Sequence, residues 1–178
     1  MLDQMTPDPA KIAEQSDNQF LTFMLGNEEF GIDILQVQEI KGWGSITKIP
    51  NMPDYILGVI NLRGTIVPVM DLRRRFKLPK AEYTKTTVII VTKANDEFQE
   101  RTVGMVVDAV SEVYDMSEKS VKATPDFGCN VDTDFIKGLA NVDDKMIILM
   151  NVDKLVSHEV REHLTEAKVQ AAAHKANE

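Results

Sequence analysis

The sequence predicts a mainly β protein made of two small barrels. Three observations lead there. The core carries many short apolar or alternating runs separated by tight-turn residues, its helical pieces before residue 157 are short, and two collinear blocks of it repeat.

Each element follows from local pattern. FLTFML and EEFGIDI read as strands joined by a Gly26–Asn27 turn, and GVINL and TIVPVMDL as a second hairpin turning at Arg63–Gly64. TTVIIV and RTVGMVVDAV are strands joined by the polar stretch TKANDEFQE, and MIILMNV is the last clear strand. Helical pieces are expected at PDYIL and DLRRRF. Residues 1–18 are polar and aperiodic with two prolines, which predicts a disordered arm. Residues 157–178 are rich in Glu, Ala, Lys and Arg behind a Ser157 N-cap, which predicts a terminal helix and fraying tail.

The repeat is the most informative feature. FGIDILQVQEI (30–40) aligns with VGMVVDAVSEV (103–113), placing Gly31 on Gly104, 73 positions on, Val37 on Val110 and Glu39 on Glu112. YILGVINLRGTIVPVMDL (55–72) aligns with FIKGLANVDDKMIILMNV (135–152), placing Gly58 on Gly138, 80 positions on, Asn61 on Asn141 and Met70 on Met150. A loop insertion accounts for the change of offset. The chain then divides into the arm, a body over 19–156 made of two barrel subdomains (about 19–84 and 85–156, a division that admits strand exchange), and the tail.

Composition narrows the function. A formal charge of −8 repels nucleic-acid backbones and anionic lipid alike. One cysteine, Cys129, leaves no intramolecular disulfide, and with no signal peptide or membrane span in the sequence the expected compartment is the cytoplasm.

FGIDILQVQEIKGW, IPNMPDYILGVINLRGTIVPVMDLRRRF, GMVVDAVSEV and FIKGLANVDDKMIILMNVDKLV together resemble the CheW family of bacterial chemotaxis coupling proteins over about residues 19–156. The resemblance implies two intertwined SH3-like five-stranded barrels. It also implies a non-enzymatic adaptor that binds the cytoplasmic tip of chemoreceptors and the regulatory domain of the histidine kinase CheA, is recruited to receptor arrays at the inner face of the membrane, and can self-associate there. CheV-type relatives add a receiver domain of ~120 residues, for which this chain has no room.

The resemblance assigns Val37, Glu39, Ile40 and Arg63 to receptor binding. The residues themselves leave alternatives: a strand buried on both faces for Val37 and Ile40, and a solvated charge for Glu39. For Arg63 the repeat argues independently, because Asp143 occupies the matching turn and the fold therefore does not dictate an arginine. Exposed edge positions near Val103, Met105 and Met146 are the candidates for kinase contact. Gly31, Gly58, Gly104 and Gly138 are read as structural, Arg73–Arg75 as a solvated helix end, and Trp43 as a partly exposed loop anchor.

Enzymatic motifs are missing. There is no G-x-x-x-x-G-K-[ST], G-x-G-x-x-G or H-E-x-x-H string, and the three histidines fall in the tail. Asp132, Asp134, Asp143 and Asp144 form acidic clusters without the calcium-loop glycine. No catalytic residue, cofactor or metal is expected. A calcium- or ligand-binding barrel is the alternative to the adaptor.

Overall fold

The computed structural model describes residues 19–79, 81–96, 98–116, 121–123 and 135–159. The expected arm, most of the tail, and Cys129, Asp132, Asp134, His163 and His174 lie outside the described residues.

Eleven strands are described: β1 (Gln19–Leu25), β2 (Glu28–Asp33), β3 (Val37–Gly42), β4 (Ile56–Leu62), β5 (Thr65–Asp71), β6 (Val88–Asn95), β7 (Glu100–Val107), β8 (Ala109–Asp115), β9 (Val121–Lys122), β10 (Ile136–Val142) and β11 (Lys145–Met150). They form two sheets, ordered β8-β1-β2-β11-β10-β9 and β3-β6-β7-β5-β4. The second sheet takes its strands from the middle of the chain, and the first sheet joins β1 and β2 to the strands after residue 108. The fold is mainly β, as the sequence predicts.

The repeat is visible atom by atom. β4 and β5 pair through Gly58↔Val69 to Leu62↔Thr65, and β10 and β11 through Gly138↔Leu149 to Val142↔Lys145, the same register 80 positions on. Each hairpin has its register shift just before that glycine. A parallel pair then joins each hairpin to the other repeated block, with Val69 opposite Gly104 and Leu149 opposite Gly31. Both glycines are there for space. A Cβ on Gly31 would meet Leu149 Cδ2 at 2.9 Å, and one on Gly104 would meet Ile89 Cγ2 at 2.9 Å.

Two sequence expectations need correction. FGIDILQVQEI is not one strand, because Ile34–Gln36 forms a 3-10 turn capped by Asp33, whose carboxylate accepts from Leu35 N–H at 2.9 Å. The apolar pattern changes phase at this break, from Ile32 and Ile34 to Leu35 and Val37. PDYIL is a turn leading into β4, and DLRRRF holds a one-turn helix, Leu72–Arg75.

The chain passes from sheet to sheet at the 3-10 turn and again at Asp108, and both crossings are tied down. Asp71 caps the Leu72–Arg75 helix through the N–H groups of Arg73 and Arg74. The Arg73 side chain then reaches Asp108, with Nε–Oδ1 and Nη2–Oδ2 distances of 2.7 Å, and donates to Pro79 O at 2.7 Å. Asp108 also accepts from Gly26 N–H in the β1–β2 turn at 2.7 Å. Arg73 is therefore not a solvated helix end but a fork clamping one sheet to a turn of the other. At the repeated position Asn151 caps the helix Val152–Glu159 through Lys154 N–H at 3.1 Å. From that helix Asp153 accepts from Gln36 Nε2 and Asn95 N–H, both at 2.8 Å. The two crossings are thus closed in equivalent ways, with an arginine in one and an aspartate in the other.

Apolar packing fills the space these ties enclose. Phe23, Leu25, Ile32, Leu72, Ile90, Met105 and Leu155 form the main cluster, which draws on both sheets. Ile60, Val67, Val69, Ile89 and Val91 fill the second sheet's barrel, and Phe20, Ala140, Ile147 and Leu149 the first's. Tyr83 stacks on Trp43 at 3.9 Å and donates to Asp71 at 2.8 Å.

The clamp has a pH signature. Burial pushes the Asp108 carboxyl up, but hydrogen bonds from Arg73 and Gly26 outweigh that and hold it below the usual carboxylate range. A lowered folded-state value means stability that is present above about pH 4 and lost as pH falls through the native value. Asp108→Asn is expected to cost about 1–3 kcal/mol in urea unfolding at pH 7, because both groups are partly exposed, and to flatten the acid limb of the stability curve. At the other extreme, burial and the Asp71 hydrogen bond push Tyr83 up to about 12. A raised native value makes stability decline as pH rises from about 10. Unfolding measured across that window should show the decline in the wild type and its loss in Tyr83→Phe.

Candidate partner-binding surface

β3 is an edge strand of its sheet, yet its far neighbour β4 is not distant: the chain after β3 bridges back from Thr47 to Val59, with N–O distances of 2.9 and 2.8 Å. This closes the barrel and brings the β4–β5 turn beside β3. There Arg63 Nη2 pairs with Glu39 Oε2 at 3.1 Å. The sequence thus named two residues, 24 positions apart, that fold into contact. Glu39 is half-buried at 26% exposure and Arg63 reaches into solvent at 77%. Such a pair contributes little to stability, about 0–1 kcal/mol, and leaves most of the guanidinium's donors available.

Ile40, the next residue on β3, is exposed, and Val37 is half-buried against the main core. Burial alternates along β3, so Val37 on the inner face and Ile40 on the outer face sit close together on one strand. The strand is therefore not buried on both faces.

The turn carries a cost that the sequence did not reveal. Arg63 has φ 51° and Gly64 φ 87°, the positive pair of a type I′ hairpin. In the repeated turn Asp143 and Asp144 have φ 52° and 63°, so the fold does not require glycine at the second position either. An arginine in the left-handed region costs about 1 kcal/mol relative to glycine or asparagine. Retaining it there sets the guanidinium at the hairpin tip.

Val103 and Met105 are not exposed edge residues. β7 is hydrogen-bonded on both sides, by β6 and β5, and the two side chains are buried at 5% and 1% exposure. Strand order put them inside, and no sequence pattern distinguishes this from an edge. Met146 is exposed at 53%, as is Ile66 at the equivalent position of the other hairpin at 61%. Ile66 went unnoticed, although the 80-residue offset that selects Met146 also selects it. Leu35 and Phe98 are further exposed apolar residues that no motif signalled. Among the described residues there is no group of three His, Cys, Asp or Glu side chains able to hold a metal ion, and no helix long and apolar enough to cross a membrane.

Comparison with known proteins fits this geometry. The family model of the CheW-like domain matches residues 19–160. The chain belongs to the CheW family. It is similar to the chemotaxis protein CheW of Klebsiella aerogenes, 44% identical over 151 residues that cover 84% of this chain and 89% of the relative. The chemotaxis protein CheW of Rhizobium meliloti is 36% identical over 153 residues, covering 86% and 96%. The crystal structure of the scaffolding protein TtCheW from Thermoanaerobacter tengcongensis superposes with a TM-score of 0.70 at 40% identity, covering 78% of this chain and 87% of that one. As a CheW protein the chain is a chemotaxis scaffolding protein and not an enzyme.

The glycine that shapes this surface is Gly58, at φ +144°, where a Cβ would fall 2.0 Å from Thr47 O. Gly58→Ala should cost about 3 kcal/mol or more by urea denaturation, since it breaks the Thr47 bridge as well as straining the backbone. Gly42→Ala, where a Cβ meets nothing within 4 Å, is the control expected to stay within about 0.5 kcal/mol of the wild type.

Proposed function

We propose that this CheW protein couples chemoreceptors to the histidine kinase CheA, binding the receptor's cytoplasmic tip through the β3 edge and the β4–β5 turn. The observation that carries the proposal is the Glu39–Arg63 pair beside exposed Ile40, on a barrel edge whose fold does not need the arginine. An apolar side chain next to a planar cation suits a helical tip that offers apolar and carboxylate or carbonyl groups. Val37 backs this face from the core side. Binding to the receptor tip places the protein in the cytoplasm, at arrays on the inner face of the membrane.

For the kinase, Met146 remains the contact candidate, on a different hairpin and in the other sheet. Two partners engaged through different barrels leave a ternary complex sterically open.

The test reads two properties of one variant. Arg63→Glu should change unfolding free energy by only about 0.5 kcal/mol, because position 63 is exposed and Asp143 shows an acidic residue fits the turn. In a reconstituted mixture of receptor fragments and CheA, the same variant should lower kinase activation by tenfold or more, about 1.4 kcal/mol of lost coupling. Normal activation by the variant would remove Arg63 from the interface, and a collapse in stability would make it a structural residue.

A further inference from the structure

The repeat gives each barrel a mouth built to one plan, and the two mouths are charged differently. In the first, Glu39 pairs with Arg63 across the β4–β5 turn at 3.1 Å, and Lys41 follows two residues on along β3. In the second, Glu112 stands on Glu39, Tyr114 on Lys41 and Asp143 on Arg63. A carboxylate therefore occupies the place of the arginine. Asp143 has φ 52° against 51° for Arg63, so the backbone is the same and only the side chain differs.

A third carboxylate joins these two. Glu29 falls on Thr102 in the repeat and lies on β2 opposite Ile147 of β11. Gly31 is two residues on and shares its face, and a Cβ there would meet Leu149, Ile147 and Phe20. Glu29 thus points toward the second barrel's own cluster. It is 8% exposed, yet among the described residues its carboxylate makes no ion pair and no hydrogen bond. Tyr114 packs against the same cluster. Burial first, and then Glu112, Glu29 and Asp143, push its phenol above the ordinary value, which sets three carboxylates around one ring. Lys145, in the turn with Asp143, is exposed, and Lys137 lies over the Phe20 ring at 5.7 Å. Neither pairs with these carboxylates among the described residues.

We infer that the mouth of the second barrel binds an arginine side chain of a partner protein. The guanidinium takes the place beside Glu112 and Asp143 that Arg63 takes beside Glu39 in the first barrel, and its remaining donors reach Glu29. Charge complementarity selects the occupant. A buried carboxylate without a partner is costly, and a planar fork with five donors serves several carboxylates better than a compact ammonium does. The described carboxylates form no group able to hold a metal ion, so the cation is an extended one. Exposed Val113, next to Glu112 on β8, offers an apolar contact to the residues flanking the arginine. The site rests neither on the receptor-facing reading of Arg63 nor on the assignment of Met146 to the kinase.

The experiment is a fluorescence-anisotropy titration of the full chain with a labelled synthetic peptide carrying one arginine between leucines, beside the same peptide with citrulline, its uncharged isostere. The arginine peptide should bind, more weakly as salt rises, and the citrulline peptide about tenfold more weakly than the arginine peptide. Glu29→Gln should weaken binding about threefold and yet melt above the wild type, because it removes a buried unpaired charge. A residue that merely holds the fold would melt lower. Asp143→Arg should abolish binding by filling the site from within. It should melt within about 3 °C of the wild type, because it rebuilds the first barrel's pair at the same φ. Arg63→Glu should leave peptide affinity unchanged, which separates this site from the proposed receptor face. No binding of the arginine peptide at low salt, equal affinity for the two peptides, full binding by Asp143→Arg, or a Glu29→Gln protein that melts lower would each overturn the inference. So would self-association of the wild type that Arg63→Glu and Asp143→Arg each abolish, which would give the site to a second copy of this chain.

Discussion

The structure depends on how the chain crosses between its two sheets. Because β1 and β2 lie in the same sheet as the strands after residue 108, the first sheet is complete only with chain from outside both crossings, while the second is built wholly from the chain between them. The Arg73–Asp108–Gly26 contact fixes one crossing and the Asp153–Gln36–Asn95 contact the other. The hairpin proposed to face the receptor inherits its position from these ties. The Leu72–Arg75 helix presents Arg73 to the clamp, and β5, which leads into it, shares its hairpin turn with Arg63. A scaffold whose surfaces hang on one packed body can hold two partners at a fixed geometry, since moving one barrel relative to the other would break charged hydrogen bonds and the shared core together.

Much of this was legible in the sequence, for physical reasons. Hairpins announce themselves through turn residues between apolar runs, and the repeat fixed equivalent glycines at equivalent close contacts, Gly31 against Leu149 and Gly104 beside Val69. Arg63 stood out because Asp143 matched it, and the structure adds the reason it is unusual, a left-handed backbone. Strand order was not legible. Val103 and Met105 have the same apolar alternation in a central strand as they would at an edge, and only hydrogen bonds to both β6 and β5 bury them. Arg73 looked like one of three solvated arginines because its partner lies 35 positions on, in a crossing that has no local signature. The Ile34–Gln36 turn left only a phase change in the apolar pattern, Ile32 and Ile34 giving way to Leu35 and Val37, which also fits a strand with apolar residues on both faces.

Two cations of the first half share a backbone feature. Arg63 and Lys77 both stand in the left-handed region, where each costs conformational energy that glycine or asparagine would avoid. In the second half the matching turn carries acidic residues, and the matching helix end has no left-handed lysine. The two barrels share a backbone plan but differ in charge at their exposed turns. That difference is what an internally duplicated scaffold needs if its halves are to serve different partners, because specificity resides in side chains that the common fold leaves free.

The central claim is that one rigid body carries separate faces for receptor and kinase. Sedimentation-velocity measurement of this protein with a receptor cytoplasmic fragment and the CheA regulatory domain tests it most directly. The account predicts a ternary species containing all three components, formed only when this protein is present. Mutually exclusive binding, in which added receptor fragment displaces the kinase domain and leaves only binary complexes, would contradict it.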